Sequence, residues 1–226
     1  MTSPLEALAF AIGIKPALRL SLSREDAVRE TARWKARGAS VVPGSSPVSD
    51  GGRHLLYVAR GADRATAARD AEALIVPHGR ARTPDAAVRA AHRALGRQLG
   101  YPPCCVEAFL ARLERGVTQL RDGTRASEGV VAAERAWHAS KERLARLNVL
   151  LPRRRALVPF DPCSFDCEAA RRYATALLGA HRVRSPDDAA DLERALLRSV
   201  RLGRSGPVDP ADGATEVLLE LHWDAL

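Results

Sequence analysis

The chain has 226 residues, of which 46% are hydrophobic and 27% charged, and its formal net charge is +8. This length allows a full hydrophobic core without disulfides, and the composition argues against a disordered or low-complexity protein. The leading apolar stretch, residues 5–14, is too short to span a bilayer and has no basic residue before it. We therefore expect a cytoplasmic protein without a membrane partner, in which thiols stay reduced.

Residues 1–80 predict a small α+β module. Short apolar runs indicate strands, while a serine cap and an alanine-rich segment indicate helices. In chain order we expect a strand at 17–22, a helix from Ser23 to Arg37, strands at 40–43 and 54–59, a helix at 62–72 and a strand at 74–76. The order βαββαβ is that of a ferredoxin-like module.

Residues 81–226 predict a mainly helical region that carries all four cysteines. Apolar spacing, prolines at helix starts and glycines at helix ends define the elements. We expect helices at 83–99, from the first cysteine pair onward, at 127–147, 164–180 and 185–203, an extended crossing at 150–162, and a tail at 215–223 with either a helical or a strand period. The predicted fold class is therefore α+β, with the small module first and the helical region second.

The four cysteines fall in two tight pairs, Cys104-Cys105 and Cys163-x-x-x-Cys167. Each pair follows a proline and opens a predicted helix, and the partial positive charge of a helix N-terminus favours thiolates. If the two helix ends face one another, the four sulfurs form one pocket. The sequence therefore predicts a metal centre with these four cysteines as ligands.

The spacing of the cysteines favours a [4Fe–4S] cluster over zinc. Neighbouring residues project about 100° apart on a helix, so the sulfurs of Cys104 and Cys105 are expected to diverge toward separate irons. Zinc instead needs four sulfurs about 2.3 Å from one point, and usually C-x-x-C twice. A zinc-stabilised adaptor or nucleic-acid-binding module, a metal-free thiol redox protein and four separate core cysteines stay open as alternatives.

Two sequence elements around the cysteines are similar to those of a known family. L-G-Y-P-x-C-C-V-x-x-F, at residues 99–109, and P-C-S-x-x-C, at residues 162–167, resemble elements of a poorly characterised prokaryotic family in which the same four cysteines recur. The resemblance covers residues 99–180. It implies that the four cysteines act together, and it brings no known activity with it.

Two polar residues beside the cysteines, Tyr101 and Asp166, are candidate catalytic groups. If only three cysteines bind, the open iron of the cluster could act on a substrate as a Lewis acid, sulfur carrier or electron donor, with these side chains transferring protons. Acids at a helix start also have a simpler explanation, the helix dipole. We expect an enzymatic role, as an iron–sulfur lyase, sulfur-transfer enzyme or oxidoreductase, in preference to an electron carrier.

The basic charge raises the question of nucleic acid, because a basic face releases counterions when it meets phosphate. Only Lys15, Lys35 and Lys141 of the 35 basic residues are lysine, and the arginines are spread over most predicted helices, with one run at residues 153–155. Such a spread is typical of a compositional bias rather than of a binding stripe. A small-molecule substrate or a redox partner is therefore expected in preference to nucleic acid.

Overall fold

The computed structural model describes residues 3–45, 53–76, 85–115, 119–151, 156–208 and 217–226. The chain divides into two compact units, Met1–Leu110 and Ala111–Leu226. Each unit contains helices and a small antiparallel sheet of three strands. The sequence-based boundary after residue 80 differs from this division, because the helix that follows it packs on the first unit.

The first unit begins with a short helix that the sequence analysis does not predict, and the order of strands and helices after it follows the prediction closely. Its elements are α1 Pro4–Ala11, β1 Ala17–Leu22, α2 Arg24–Lys35, β2 Ser40–Pro43, β3 His54–Ala59, α3 Ala62–Ile75, α4 Ala86–Leu99 and α5 Pro103–Arg115, the last of which runs past the division. The three strands have the predicted bounds. The predicted cap of α2 is also confirmed, since the Ser23 hydroxyl accepts the Asp26 N–H at 3.1 Å.

The strand β3 lies between β1 and β2 and is antiparallel to both. The fourth strand predicted at 74–76 is wrong, because Leu74 and Ile75 end α3 and Val76 caps it. Leu74 is 60% exposed and Val76 50% exposed. Within the described residues this apolar run pairs with no strand, and it continues the alanine-rich helix before it. A ferredoxin-like module is therefore not confirmed, and the mixed α and β character is.

Alternate residues of β1 and β3 build two cores on the two faces of this sheet. On one face, Leu18 and Val58 pack with Phe10 and Trp34, which come from α1 and α2. The opposite face is covered by α3 and α4, and the shared core there consists of Ala17, Leu55, Tyr57, Ala59, Ala65, Ala68 and Leu99. The helix α4 is thereby fixed to the sheet, and its end determines where the first cysteine pair begins.

The helix α4 ends where the sequence predicts. Gly100 has a left-handed φ of 76°, and a Cβ atom there would lie 2.5 Å from Cδ of Pro16. Only glycine meets both conditions, so the helix stops and the chain turns into α5. The predicted start of α4, at residues 83–84, lies outside the described residues, and Asp85 is its N-cap.

The second unit is a mixture of helices and short strands rather than a helical region alone. Its elements after α5 are α6 Glu128–Ala139, a 3-10 turn Ala145–Leu147, α7 Glu168–Arg184, α8 Pro186–Leu196, β4 Val200–Gly203, β5 Gly206–Pro207 and β6 Leu219–Leu221. The strand β4 lies between β5 and β6, antiparallel to both. Among the described residues, every helix is too short or too polar to cross a membrane.

Two predicted helices of this unit are too long. The helix predicted over 127–147 ends at Ala139, because Ser140 adopts an extended conformation and bonds to another part of the chain. The helix predicted over 185–203 ends at Leu196, and Val200 and Leu202 become part of β4, where they pack against Leu221. The tail predicted at residues 215–223, whose pattern fits either a helix or a strand, contains the strand β6.

Candidate metal centre

The first cysteine pair lies in the first turn of α5, which prolines place. Pro103 opens the helix, where its missing N–H costs nothing, and the Pro102 carbonyl accepts the N–H groups of Cys105 at 3.0 Å and Val106 at 3.1 Å. Cys104 is exposed, whereas Cys105 is only 2% exposed. The pair therefore consists of one outward and one inward thiol at a helix start.

The helix α4 packs closely against this first turn. A Cβ atom on Gly96 would lie 2.6 Å from Cγ2 of Val106, so the absence of a side chain at Gly96 allows the approach. Arg93 and Glu107 join the two helices by a two-pronged ion pair of 2.7 and 2.8 Å. The Arg93 hydrogen bond holds the pKa of the exposed Glu107 carboxyl below its usual range. Glu107 therefore links α5 to α4 through its ion pair with Arg93.

The second cysteine pair frames a tight turn, residues 163–167, which we call the second cysteine turn. The Cys167 N–H donates to the Ser164 carbonyl at 3.2 Å, and Cys167 is the N-cap of α7, with its carbonyl accepting the Arg171 N–H at 2.8 Å. The helix thus begins at Glu168, four residues later than predicted. Cys163 is partly exposed and Cys167 is buried.

The four cysteines lie close together. One ligand atom from each, the sulfur of Cys104, Cys105, Cys163 and Cys167, lies within 4.8 Å of every other. The Cys104 and Cys105 sulfurs are 4.0 Å apart, so the predicted divergence of this pair is wrong. None of the four, all within the described residues, forms a disulfide. The predicted grouping is confirmed, and this four-thiol site could hold a metal ion.

Asp166, a predicted catalytic residue, lies inside the second cysteine turn. Its carboxylate accepts the Ser164 hydroxyl at 2.5 Å and the Lys141 N–H at 2.8 Å. Burial raises the pKa of Asp166, but these two hydrogen bonds and that from the Glu142 N–H outweigh it and leave the pKa lowered. The group is therefore an ionised acceptor at neutral pH that fixes the turn, and its catalytic role stays a prediction.

Tyr101, the other predicted catalytic residue, lies between the end of α4 and the start of α5. Its N–H donates to the Gly96 carbonyl at 2.8 Å, and its ring centre is 5.9 Å from Nζ of the buried Lys15. Lys15 also forms a 2.5 Å ion pair with Glu6. Both of these contacts are with its own unit, and its catalytic role stays a prediction. The arginine run at 153–155 lies outside the described residues.

Sequence reasoning missed the residues that support the second cysteine turn. Ser140 accepts the Phe165 N–H, and the Phe165 ring contacts Trp223, which is 58 positions further along the chain. A serine inside a predicted helix is the one available signal, because its hydroxyl competes for backbone groups and favours helix ends. The partner of that hydroxyl depends on the fold and has no signal in the sequence.

Comparison with known proteins adds no relative. No family model, curated protein or solved structure matches this chain at a significant level. The likeness of the two cysteine motifs to a prokaryotic family therefore stays an expectation. The molecule itself defines a four-cysteine site that could hold a metal ion.

Proposed function

We propose that this protein binds one structural zinc ion, with Cys104, Cys105, Cys163 and Cys167 as its four ligands. The observation that carries the proposal is the separation of the ligand atoms, all within 4.8 Å of one another. Thiolates are soft ligands, and four of them in a tetrahedral arrangement are a common zinc set.

The sulfur separation supports zinc over a larger cluster. Four sulfurs about 2.3 Å from one zinc ion lie about 3.8 Å from each other. Thiolates on separate irons of a [4Fe–4S] cluster lie about 6 Å apart, because the cluster occupies the space between them. The Cys104 and Cys105 sulfurs, 4.0 Å apart, nearly have the zinc separation already, whereas a cluster would require them to move apart by about 2 Å.

Four thiolates complete the tetrahedral shell of zinc and leave no position for a substrate or water. Zinc sites of this kind stabilise a fold, whereas catalytic zinc sites keep one position open. Cys105 and Cys167 are buried, so two of the four ligands are shielded from competing water. We therefore assign the metal a structural role, in which its binding energy contributes directly to folding.

The second candidate is the [4Fe–4S] cluster that the sequence predicts. Its support is the exposure of Cys104 and the partial exposure of Cys163, since a larger group could be accommodated by moving those two thiols outward. An exposed Cys104 is also the ligand most readily replaced by a substrate. The predicted enzyme chemistry, with Tyr101 and Asp166 as proton-transfer groups and a small molecule or redox protein as partner, belongs to this candidate.

A zinc-stabilised module could bind nucleic acid through its basic surface, but the described ion pairs do not favour that partner. Many arginines are engaged by nearby acids, as in the pairs Arg29–Asp26, Arg182–Glu193, Arg194–Asp191 and Arg201–Glu220. Such pairs reduce the charge available for phosphate. For the zinc-bound protein we therefore favour a role as an adaptor over a role in nucleic-acid binding.

Metal analysis of the full chain, purified without oxygen from medium containing both zinc and iron, tests the proposal. We expect a colourless protein with one zinc per chain and no stoichiometric iron or sulfide. A brown protein with four irons and four sulfides would overturn the zinc assignment in favour of the cluster. A metal-free protein with a highly reactive thiol would contradict both and support a thiol redox protein.

A further inference from the structure

We propose that Ser140 is a positioning residue of the metal site, whose hydroxyl holds the second cysteine turn in the conformation that presents Cys163 and Cys167 together. This inference rests on the proposed metal-binding function and deepens it. Ser140 lies 23 residues before Cys163 in the chain, and no motif connects the two.

The Ser140 hydroxyl bridges the end of α6 and the second cysteine turn. It accepts the Phe165 N–H at 2.7 Å and donates to the Ala136 carbonyl at 2.5 Å. Ser140 itself is 9% exposed. Because Phe165 is the middle residue between Cys163 and Cys167, a bond to its backbone fixes the direction in which the chain leaves each cysteine.

Backbone N–H groups of the same short segment after α6 also bond to the second cysteine turn. The Lys141 N–H donates to the Asp166 carboxylate at 2.8 Å, and the Leu144 N–H donates to the Phe165 carbonyl at 3.1 Å. Phe165 is therefore held through both its N–H and its carbonyl. Of the groups that residues 140–144 contribute to these bonds, only the Ser140 hydroxyl belongs to a side chain, so it can be removed by substitution.

Aromatic packing prevents the Phe165 side chain from taking another position. Its ring is fully buried and meets the Trp223 ring edge to face at 5.0 Å and the Trp137 ring at 6.4 Å. With the side chain enclosed in this way, the main freedom left to the turn is the orientation of its backbone. The hydrogen bond from the Phe165 N–H to the Ser140 hydroxyl fixes that orientation before a metal binds.

A turn that is ordered in advance binds metal more tightly, because ligand ordering does not oppose binding. Groups that orient metal ligands typically contribute a factor of about 10 to 100 in affinity. We therefore expect Ser140→Ala to weaken zinc binding by about 10- to 100-fold. Ser140→Thr retains the hydroxyl and should recover most of that loss.

The test is an equilibrium transfer of zinc from the zinc-loaded full chain to a coloured chelator under reducing conditions. Ser127→Ala is the matched control, because Ser127 is the N-cap residue of the same helix and its hydroxyl makes no capping bond. We expect the control to equal the unsubstituted protein. Equal zinc affinity in Ser140→Ala and the unsubstituted chain would overturn the inference.

A purely structural role for Ser140 gives a different result in unfolding experiments. Loss of a positioning residue lowers metal affinity, so the stability deficit of Ser140→Ala should be larger at high free zinc than at low free zinc. An equal deficit at both zinc levels would contradict positioning. If the variant does not fold, the test becomes hydrogen exchange of the Phe165 amide in the unsubstituted zinc-loaded protein. We expect this amide to exchange slowly. Exchange at the rate of an exposed amide would contradict the inference.

The failure of this inference can be told apart from failure of the proposed function. If the unsubstituted chain transfers no zinc because it holds none, the zinc assignment fails and with it the inference. If it holds one zinc tightly and Ser140→Ala holds it equally well, the assignment stands and only the inference fails.

Discussion

The two cysteine pairs are positioned in different ways, and the difference explains which part of the site a sequence reveals. The first pair is positioned by neighbours in the chain, with Gly100 ending one helix and Pro103 opening the next. The second pair is positioned by distant residues, Ser140 through a hydrogen bond and Trp223 through ring packing. Local signals can be read from sequence, whereas the distant contacts appear only in the folded chain.

The largest effect should come from the ligands themselves, and it should depend on burial rather than on which pair is changed. We expect Cys105→Ser and Cys167→Ser to lose stoichiometric zinc, because both thiols are buried and a hydroxyl is a poor zinc ligand there. Cys104→Ser should retain zinc with weakened affinity, since solvent can supply the missing ligand at that exposed position. Zinc content after gel filtration measures this, and full occupancy in Cys105→Ser would contradict the four-ligand site.

The next largest effect tests the distant support of the second pair. Trp223→Ala removes the edge-to-face contact with Phe165, the contact with Trp137 and the hydrogen bond from Nε1 to the Arg198 carbonyl. We expect a loss of about 2 to 3 kcal/mol in the free energy of unfolding, together with weaker zinc binding. Urea unfolding in zinc-buffered solution measures both.

Trp223→Phe is the matched variant for that experiment, because it keeps an aromatic ring against Phe165 while it loses the Nε1 donor and part of the ring area. It should retain most of the stability and nearly all of the zinc affinity. Zinc affinity unchanged in Trp223→Ala would show that the second pair does not depend on this distant contact.

A smaller effect is expected from the local support of the first pair. Gly96→Ala places a Cβ atom 2.6 Å from Cγ2 of Val106, so α4 and the first turn of α5 must separate slightly. We expect a loss of about 1 to 3 kcal/mol in the free energy of unfolding from this overpacking. Gly129→Ala is the control, because it lies in α6 with open space around it and should be neutral or mildly stabilising. Equal thermal stability of the two variants would contradict the close contact.

The smallest effect concerns the charge of Asp166 and depends on pH. Because hydrogen bonds lower its folded pKa below the ordinary value of 3.8, the ionised group stabilises the fold above that value. This contribution is lost as the pH falls through the lowered folded pKa. The stability difference between the unsubstituted chain and Asp166→Asn should therefore be constant near neutral pH and shrink below about pH 3.8. The comparison uses chelator-treated protein, so that release of metal on thiolate protonation does not contribute. A stability difference that is independent of pH would contradict the charge assignment.

Much of the first unit follows from local patterns. Short apolar runs place β1, β2 and β3 at their observed bounds, and Ser23 caps α2 as its position before Asp26 predicts. The failures occur where a local pattern competes with the fold. Residues 74–76 are apolar enough for a strand, but their helix continues because they have no sheet edge to join in the described chain.

The candidate site shows the same division between what is local and what is not. Two pairs of cysteines behind prolines predict a shared centre, and the grouping is confirmed. The separation of the Cys104 and Cys105 sulfurs depends on side-chain rotamers in one helical turn, which spacing alone does not determine. The 4.0 Å separation, which the spacing does not specify, supports the proposed zinc ion over a cluster.

X-ray absorption at the metal edge of the protein as purified measures the sulfur environment most directly. The zinc assignment predicts a zinc edge with four sulfur neighbours at about 2.3 Å and no second metal nearby. An iron edge with sulfur neighbours and a short iron–iron distance would contradict it and establish the cluster instead.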